Sequence, residues 1–156
     1  MARPSRRTAS TSSCGATARI TVVADTGPVY ALVDASDNWH ERVASWWGAG
    51  RRRVILPASI LPEVCYLLQT YIGTGAEAAF VRAVADGEFV IEPLEDEDFS
   101  RIADLVHAYR DLPLGFVDAS IVAVAERLST REILTTDRRH FGVVRPRHTK
   151  ALTLVP

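Results

Sequence analysis

The order of apolar and polar positions along the chain predicts short strands alternating with helices. Ile20–Ala24 is a β-branched, apolar run that reads as a strand, closed by Asp25-Thr26-Gly27-Pro28. A short helix is expected over Val29–Leu32, and a second from an Asp37 N-cap to about Trp47, where Gly48 and Gly50 stop it. Arg53–Leu56 is a second strand. Ser59 and Pro62-Glu63 open a helix in which Val64, Leu67, Leu68 and Tyr71 recur at helical spacing. Further helices are expected over Ala76–Ala85, from Asp98 to about Tyr109 and over Phe116–Leu128, the last apolar enough to be largely buried. Strands are expected at Phe89–Ile91, Glu132–Thr135 and residues 151–155, with a helical turn after Asp137. Such alternation implies one α/β domain, a three-layer sandwich with a mostly parallel central sheet and helices on both faces.

Composition and charge change that picture in two places. Residues 1–19 are rich in Ser, Thr, Ala and Arg and lack periodicity, so they read as a disordered tail or a start placed too early, with the domain running from 20 to 156. They carry four arginines and no acid. The remainder holds fourteen basic residues against nineteen acidic ones, although the whole chain sums to only −1. A mildly acidic domain is a poor generic binder of nucleic acid, so any action on phosphates needs a local basic surface or bound cations. No apolar run is long enough to span a membrane. Cys14 and Cys65 show no metal or redox spacing, and a cytoplasmic setting is the simple expectation.

The chemistry lies in where the acids fall. Asp25 follows the first strand and Asp137 follows the fourth, Glu63 sits in the first turn after the second strand, and Asp118 sits in the first turn of the buried helix. Each taken singly fits a residue that complements a helix N-terminus. Together they fall on the rim beyond the strands' carboxyl ends, where parallel α/β sheets bind ligands. Carboxylates gathered there repel one another, and a divalent cation relieves that repulsion. Oxygen ligands without His or Cys favour Mg²⁺ or Mn²⁺ over Zn²⁺. Such an ion can polarise a phosphodiester and deliver a hydroxide-like nucleophile.

Four stretches carry a resemblance: VVADTGPVYALVD (22–34), LPEVCYLL (61–68), LPLGFVDASIVAVAERL (112–128) and ILTTDRRHF (133–141), their acids 38, 55 and 19 residues apart. In that order they resemble the motifs of PIN domains, specifically the VapC-type toxins of bacterial toxin–antitoxin pairs, over about residues 21–156. The resemblance implies a Mg²⁺- or Mn²⁺-dependent endoribonuclease that cuts tRNA or ribosomal RNA by water attack, leaving a 5′-phosphate and a 3′-hydroxyl, and so stops translation. It implies a homodimer silenced by a cognate VapB-type antitoxin. It also implies Asp25, Glu63 and Asp118 as principal metal ligands with Asp137 completing the set, and Thr26 and Thr136 as polar supports. For Thr26, an N-cap role is an equally good reading.

Arg138, Arg139, Arg145 and Arg147 lie in the densest basic segment, with His140, His148 and Lys150, and are candidate RNA phosphate contacts. Arg51-Arg52-Arg53 is a second candidate. Asp34 and Asp37 read as caps, and the run Glu95–Asp98 as a solvated helix start. Trp39, Trp46 and Trp47 read as packing or partner-covering residues before base-stacking ones. The helix bearing Trp46 and Trp47 and the helix from Ser59 to Tyr71 are candidate antitoxin or dimer contacts. A phosphorelay receiver would need an Asp on the third strand and a Lys after the fifth. The third strand, FVIEPLE, lacks that Asp, and Lys150 comes too early. A non-catalytic interaction module with the same layers is the other alternative, although all four acid positions are filled.

Overall fold

A computed structural model describes residues 20–50, 52–112 and 114–156. The tail 1–19, Arg51 and Pro113 lie outside the described residues. Five strands run β1 (Thr21–Ala24), β2 (Arg53–Pro57), β3 (Val90–Glu92), β4 (Glu132–Leu134) and β5 (Thr153–Val155). The helices are α1 (Thr26–Val33), α2 (His40–Gly48), α3 (Leu61–Tyr71), α4 (Thr74–Ala85), α5 (Asp96–Ala108), α6 (Phe116–Arg127) and α7 (Arg138–Val143), with a 3₁₀ turn at Ala58–Ile60 before α3. The sheet order is β3-β2-β1-β4-β5, and every pairing is parallel.

Successive strand residues point to opposite faces. Val22, Val23 and Ala24 of β1 are nonetheless all fully buried, so the central strand is covered on both sides. α6 supplies much of one cover. Its stretch from Ala119 to Ala125 is buried, and it packs against β1, β2 and α5. Three alanines there let the helix lie close to the sheet. Its one polar intruder, Ser120, is satisfied by Ser59 Oγ at 2.6 Å and the Val117 carbonyl at 2.6 Å.

The chain order reverses across β1, because β2 and β3 lie to one side and β4 and β5 to the other. This is the topological switch point, where a crevice opens beyond the strands' carboxyl ends. Ala24 pairs with Leu134, and the Asp25 N–H donates to the Leu134 carbonyl at 2.9 Å. The residues that leave β1 and β4 are therefore side by side.

Several boundaries differ from expectation, each for a local reason. α1 starts at Thr26 and not at Val29, because the Asp25 side chain is its N-cap and takes the Thr26 N–H. Pro28 then falls in the first turn, where its missing N–H costs nothing. Thr26 is thus the first helical residue and not the cap. Asp37 precedes α2, whose N-cap is Trp39, but its carboxylate accepts the Trp39 N–H at 2.7 Å and its carbonyl the His40 N–H at 3.0 Å. Trp47 packs on Phe89 and Trp46 lies beneath Arg52, so both tryptophans have contacts within the chain. On α3, by contrast, Tyr66 and Tyr71 are exposed.

The acidic run is the largest departure. Asp98 is only 3% exposed, and with Glu95 it forms a capping box that starts α5 at Asp96. Arg127, at the end of α6, bonds Asp98 and Glu92 and reaches Glu95 and the Pro93 carbonyl. One guanidinium thus ties β3 and α5 to α6. Replacing Arg127 with alanine leaves Asp98 buried without its counter-charge, and urea unfolding is expected to show a loss of about 2–3 kcal/mol. A loss below about 0.5 kcal/mol would show that the cluster is only a surface decoration.

Candidate metal centre

The crevice at the switch point is a cleft of about 270 Å³ lined by Asp25, Thr26, Gly27, Tyr30, Asp37, Trp39, Glu63, Leu67, Asp118, Thr136 and Asp137. All four acids singled out in the sequence line it. They differ in exposure: Asp25 is buried at 8%, Asp118 and Asp137 are half-buried, and Glu63 is exposed at the rim.

A hydrogen-bond chain links two of the four, Asp25 and Asp137. The Asp25 carboxylate accepts the Thr26 N–H at 2.7 Å on one oxygen and the Thr135 hydroxyl at 2.8 Å on the other. The same Thr135 oxygen accepts the Asp137 N–H at 2.9 Å. Asp137 in turn caps α7, accepting the Arg139 and His140 N–H groups at 2.9 and 3.0 Å. The His140 ring lies between Asp137 and the third acid, Asp118. Its Nδ1 lies 2.8 Å from Asp137 Oδ2 and 3.4 Å from Asp118 Oδ2. Thr135 has a place in the sequence reading only as a strand end, and His140 only as part of the basic segment. Thr135 could have been found from the β1–β4 register, and His140 from its place one turn after Asp137 on a short helix.

Thr26 and Thr136 both line the cleft, in different ways. Thr26 Oγ1 is buried with no hydrogen-bond partner in the protein. Thr136 Oγ1 packs so close to Gly27 that a Cβ there would collide with it, which is why this position takes a glycine.

The basic residues divide. Arg138 and Arg139 stand exposed beside Asp137 at the start of α7, with Arg138 reaching the Pro156 carbonyl. Arg145 folds back on the carbonyls of Gly142, Val143 and Val144, and Arg147 pairs with Asp104 at 2.9 Å on α5. None of the four arginines lines the cleft. Arg52 is drawn to Trp46, bonding its carbonyl at 3.0 Å.

Burial pushes the Asp25 carboxyl up from 3.8 to about 6; the Thr135 and Thr26 bonds oppose this, and the Asp118 and Glu63 charges add to it. Asp118 is raised too, again first by burial, with His140 opposing and Asp137 adding. The protein thus holds carboxylates where their charge is disfavoured.

The donor set fits a hard divalent cation: carboxylate oxygens, a hydroxyl in want of a partner, and room for several waters at about 30 Å³ each. Among the described residues, no three His, Cys, Asp or Glu side chains stand close enough to hold one ion between them. Few direct protein ligands suit Mg²⁺, which keeps several of its waters.

The chain matches the PIN domain family model over residues 22–145. It is 31% identical over 135 residues to Ribonuclease VapC26 of Mycobacterium tuberculosis (strain ATCC 25618 / H37Rv), a stretch covering 86% of this chain and 100% of that protein. Its fold is similar to that of Mycobacterium tuberculosis VapC20, described as a sarcin-ricin loop cleaving toxin. That comparison gives a TM-score of 0.71 and 19% identity over 76% of this chain and 91% of the other. FitAcB from Neisseria gonorrhoeae gives a TM-score of 0.64 and 16% identity over 86% of this chain and 96% of that one.

The electrostatics yield a stability test that needs no substrate. An acid whose folded pKa lies above its unfolded value takes up a proton on folding between the two values. Stability contributed by Asp25 therefore falls as pH rises from about 4 to about 6 and is flat above. In EDTA, Asp25→Asn is expected to be more stable than wild type by about 1–2 kcal/mol at pH 7.5, with the difference shrinking toward pH 4. Equal urea midpoints at pH 7.5 would contradict an ionised carboxylate held in this environment.

Proposed function

The chain belongs to the PIN domain family, and on that premise we propose that it is a metal-dependent endoribonuclease of the VapC toxin type, with residues 20–156 as its catalytic unit. The observation that carries this reading is the convergence of Asp25, Glu63, Asp118 and Asp137 on one cleft at the sheet's switch point. The 31% identity to a ribonuclease over nearly the whole chain supports the same reaction class.

In this reading Asp25, Glu63 and Asp118 would hold a Mg²⁺ or Mn²⁺ ion, with Asp137 completing the set. Bound there, the ion would activate water, neutralise the phosphodiester's charge and stabilise the leaving oxygen. The protein's part is positioning. Thr135 and the Thr26 N–H fix both oxygens of Asp25, and His140 braces Asp137 beside Asp118. Thr26 Oγ1 is free to orient a water. Thr136 keeps β4 and α1 in close register through its contact with Gly27. Water attacks phosphorus, the P–O3′ bond breaks, and the products are a 5′-phosphate and a 3′-hydroxyl. The exposed Arg139, and Arg138 once released from the Pro156 carbonyl, would meet phosphates outside the cleft. Arg145 and Arg147 would contribute only by leaving their present partners.

The substrate class is structured cellular RNA, tRNA or rRNA, whose cleavage halts translation. The partners are a VapB-type antitoxin and a second copy of the chain. The exposed Tyr66 and Tyr71 on α3 are a candidate contact for one of them. No helix of the described residues is long and apolar enough to cross a membrane, and the cytoplasm is the setting this reading requires.

The decisive experiment treats total RNA with purified protein and maps new 5′-phosphate ends. Discrete new ends are expected with Mg²⁺ or Mn²⁺ and none in EDTA. Asp118→Asn should lower the cleavage rate on the order of 10²–10³-fold while keeping the fold. Cleavage that persists in EDTA, or an unchanged rate in Asp118→Asn, would refute the assignment.

A further inference from the structure

The cleft's lining is not all acidic. Tyr30, Trp39 and Leu67 are part of it, Tyr30 from α1, Trp39 at the N-cap of α2 and Leu67 from α3. Tyr30 is anchored: its hydroxyl donates to Asp34 at 2.7 Å, and its ring packs edge-on against Tyr71 with centroids 6.4 Å apart. Trp39 is held differently. Its backbone N–H is pinned to Asp37, and the buried Val43 anchors the helix one turn on. Its ring is half-buried and, among the described residues, stacks on no other aromatic ring. Its neighbour is the exposed Arg42, whose guanidinium carbon lies 5.2 Å from the ring centroid. The other two tryptophans of this region are packed against Phe89 or Arg52.

Aromatic side chains in an otherwise acidic cleft select its occupant by charge. A phosphate is repelled by Asp25, Asp37, Glu63, Asp118 and Asp137 unless a cation intervenes. A nucleobase is flat and uncharged, and it gains from stacking on an indole whatever its sequence. We propose that Trp39 is a stacking platform for one unpaired base next to the cut phosphate, with Arg42 pairing a phosphate just outside the acidic rim. The inference rests on the RNA reading of the cleft and adds to it a requirement that the base at this position be unpaired. Trp39 is thereby a specificity-determining residue that the sequence alone assigned to packing.

The test is binding, with Ca²⁺ replacing Mg²⁺, to a fluorescein-labelled pool of random 20-nucleotide single-stranded RNA, followed by anisotropy and by indole emission. Wild type is expected to bind and to lose part of its tryptophan emission on binding. Trp39→Ala should weaken binding roughly 10-fold and abolish that emission change. Trp39→Phe, which keeps a ring, should stay within about 3-fold of wild type. Mn²⁺ affinity, read by thermal shift, should be the same in all three, which separates a lost platform from a damaged site. Equal affinities in wild type and Trp39→Ala overturn the proposal, as does failure of wild type to bind the pool. Neither result touches the mapped cleavage of total RNA, which tests the parent reading separately. Weakening by Trp39→Ala that is equal for single-stranded RNA and for a duplex of the same length also overturns it, since a stacked duplex offers no free base.

Discussion

Four carboxylates line one cleft at the end of this sheet, and that constraint organises the rest of the molecule. Asp25, Asp118 and Asp137 come from three separate parts of the chain. They stay together because Thr135 bonds both Asp25 and the backbone of Asp137, and because one nitrogen of His140 reaches Asp137 and Asp118. Each bond is ordinary in strength. Their joint effect is to fix anionic groups where burial raises the Asp25 pKa to about 6. A fold that lowers its own stability at one place in this way has the signature of a functional site.

The fold exists in a form that delivers this arrangement. The central strand is buried on both faces, so its exit point cannot wander. The parallel pairing of β1 with β4, set at Ala24 and Leu134, brings Asp25 beside Thr135. The small residues of α6 let it sit against β1 and β2 and carry Asp118 to the same edge. At the far end of α6, Arg127 locks the helix to α5 and β3 through Asp98, Glu92 and Glu95. The cleft is thus supported from both ends of one helix.

The legibility of the site in the sequence followed strand ends and helix starts. Asp25 and Asp137 were visible because each closes an apolar strand, and Asp118 and Glu63 because each falls in a first helical turn. The alternation of elements implies a mostly parallel sheet, and the sheet is parallel throughout. What was hidden depends on contacts between distant segments. Thr135 matters only because β4 pairs with β1 in one register. His140 looked like one basic residue among several until a helical turn aimed its ring back at two carboxylates. Asp98 looked solvated because its counter-ion, Arg127, is far away in sequence. Trp39 looked like packing, since nothing local shows which face of a helix start a cleft will expose. The helix boundaries moved for a similar reason: the Asp25 side chain caps Thr26 and starts α1 earlier than the Gly27-Pro28 pair suggests.

The central claim is that the cleft's acids are gathered for a divalent ion. The most direct measurement is a crystal structure of the protein grown with Mn²⁺, with anomalous scattering collected at the manganese edge. The account predicts a peak in the cleft within roughly 2.0–2.6 Å of oxygens from Asp25 and Asp118. An empty cleft at saturating Mn²⁺, or manganese bound only elsewhere on the surface, would contradict it.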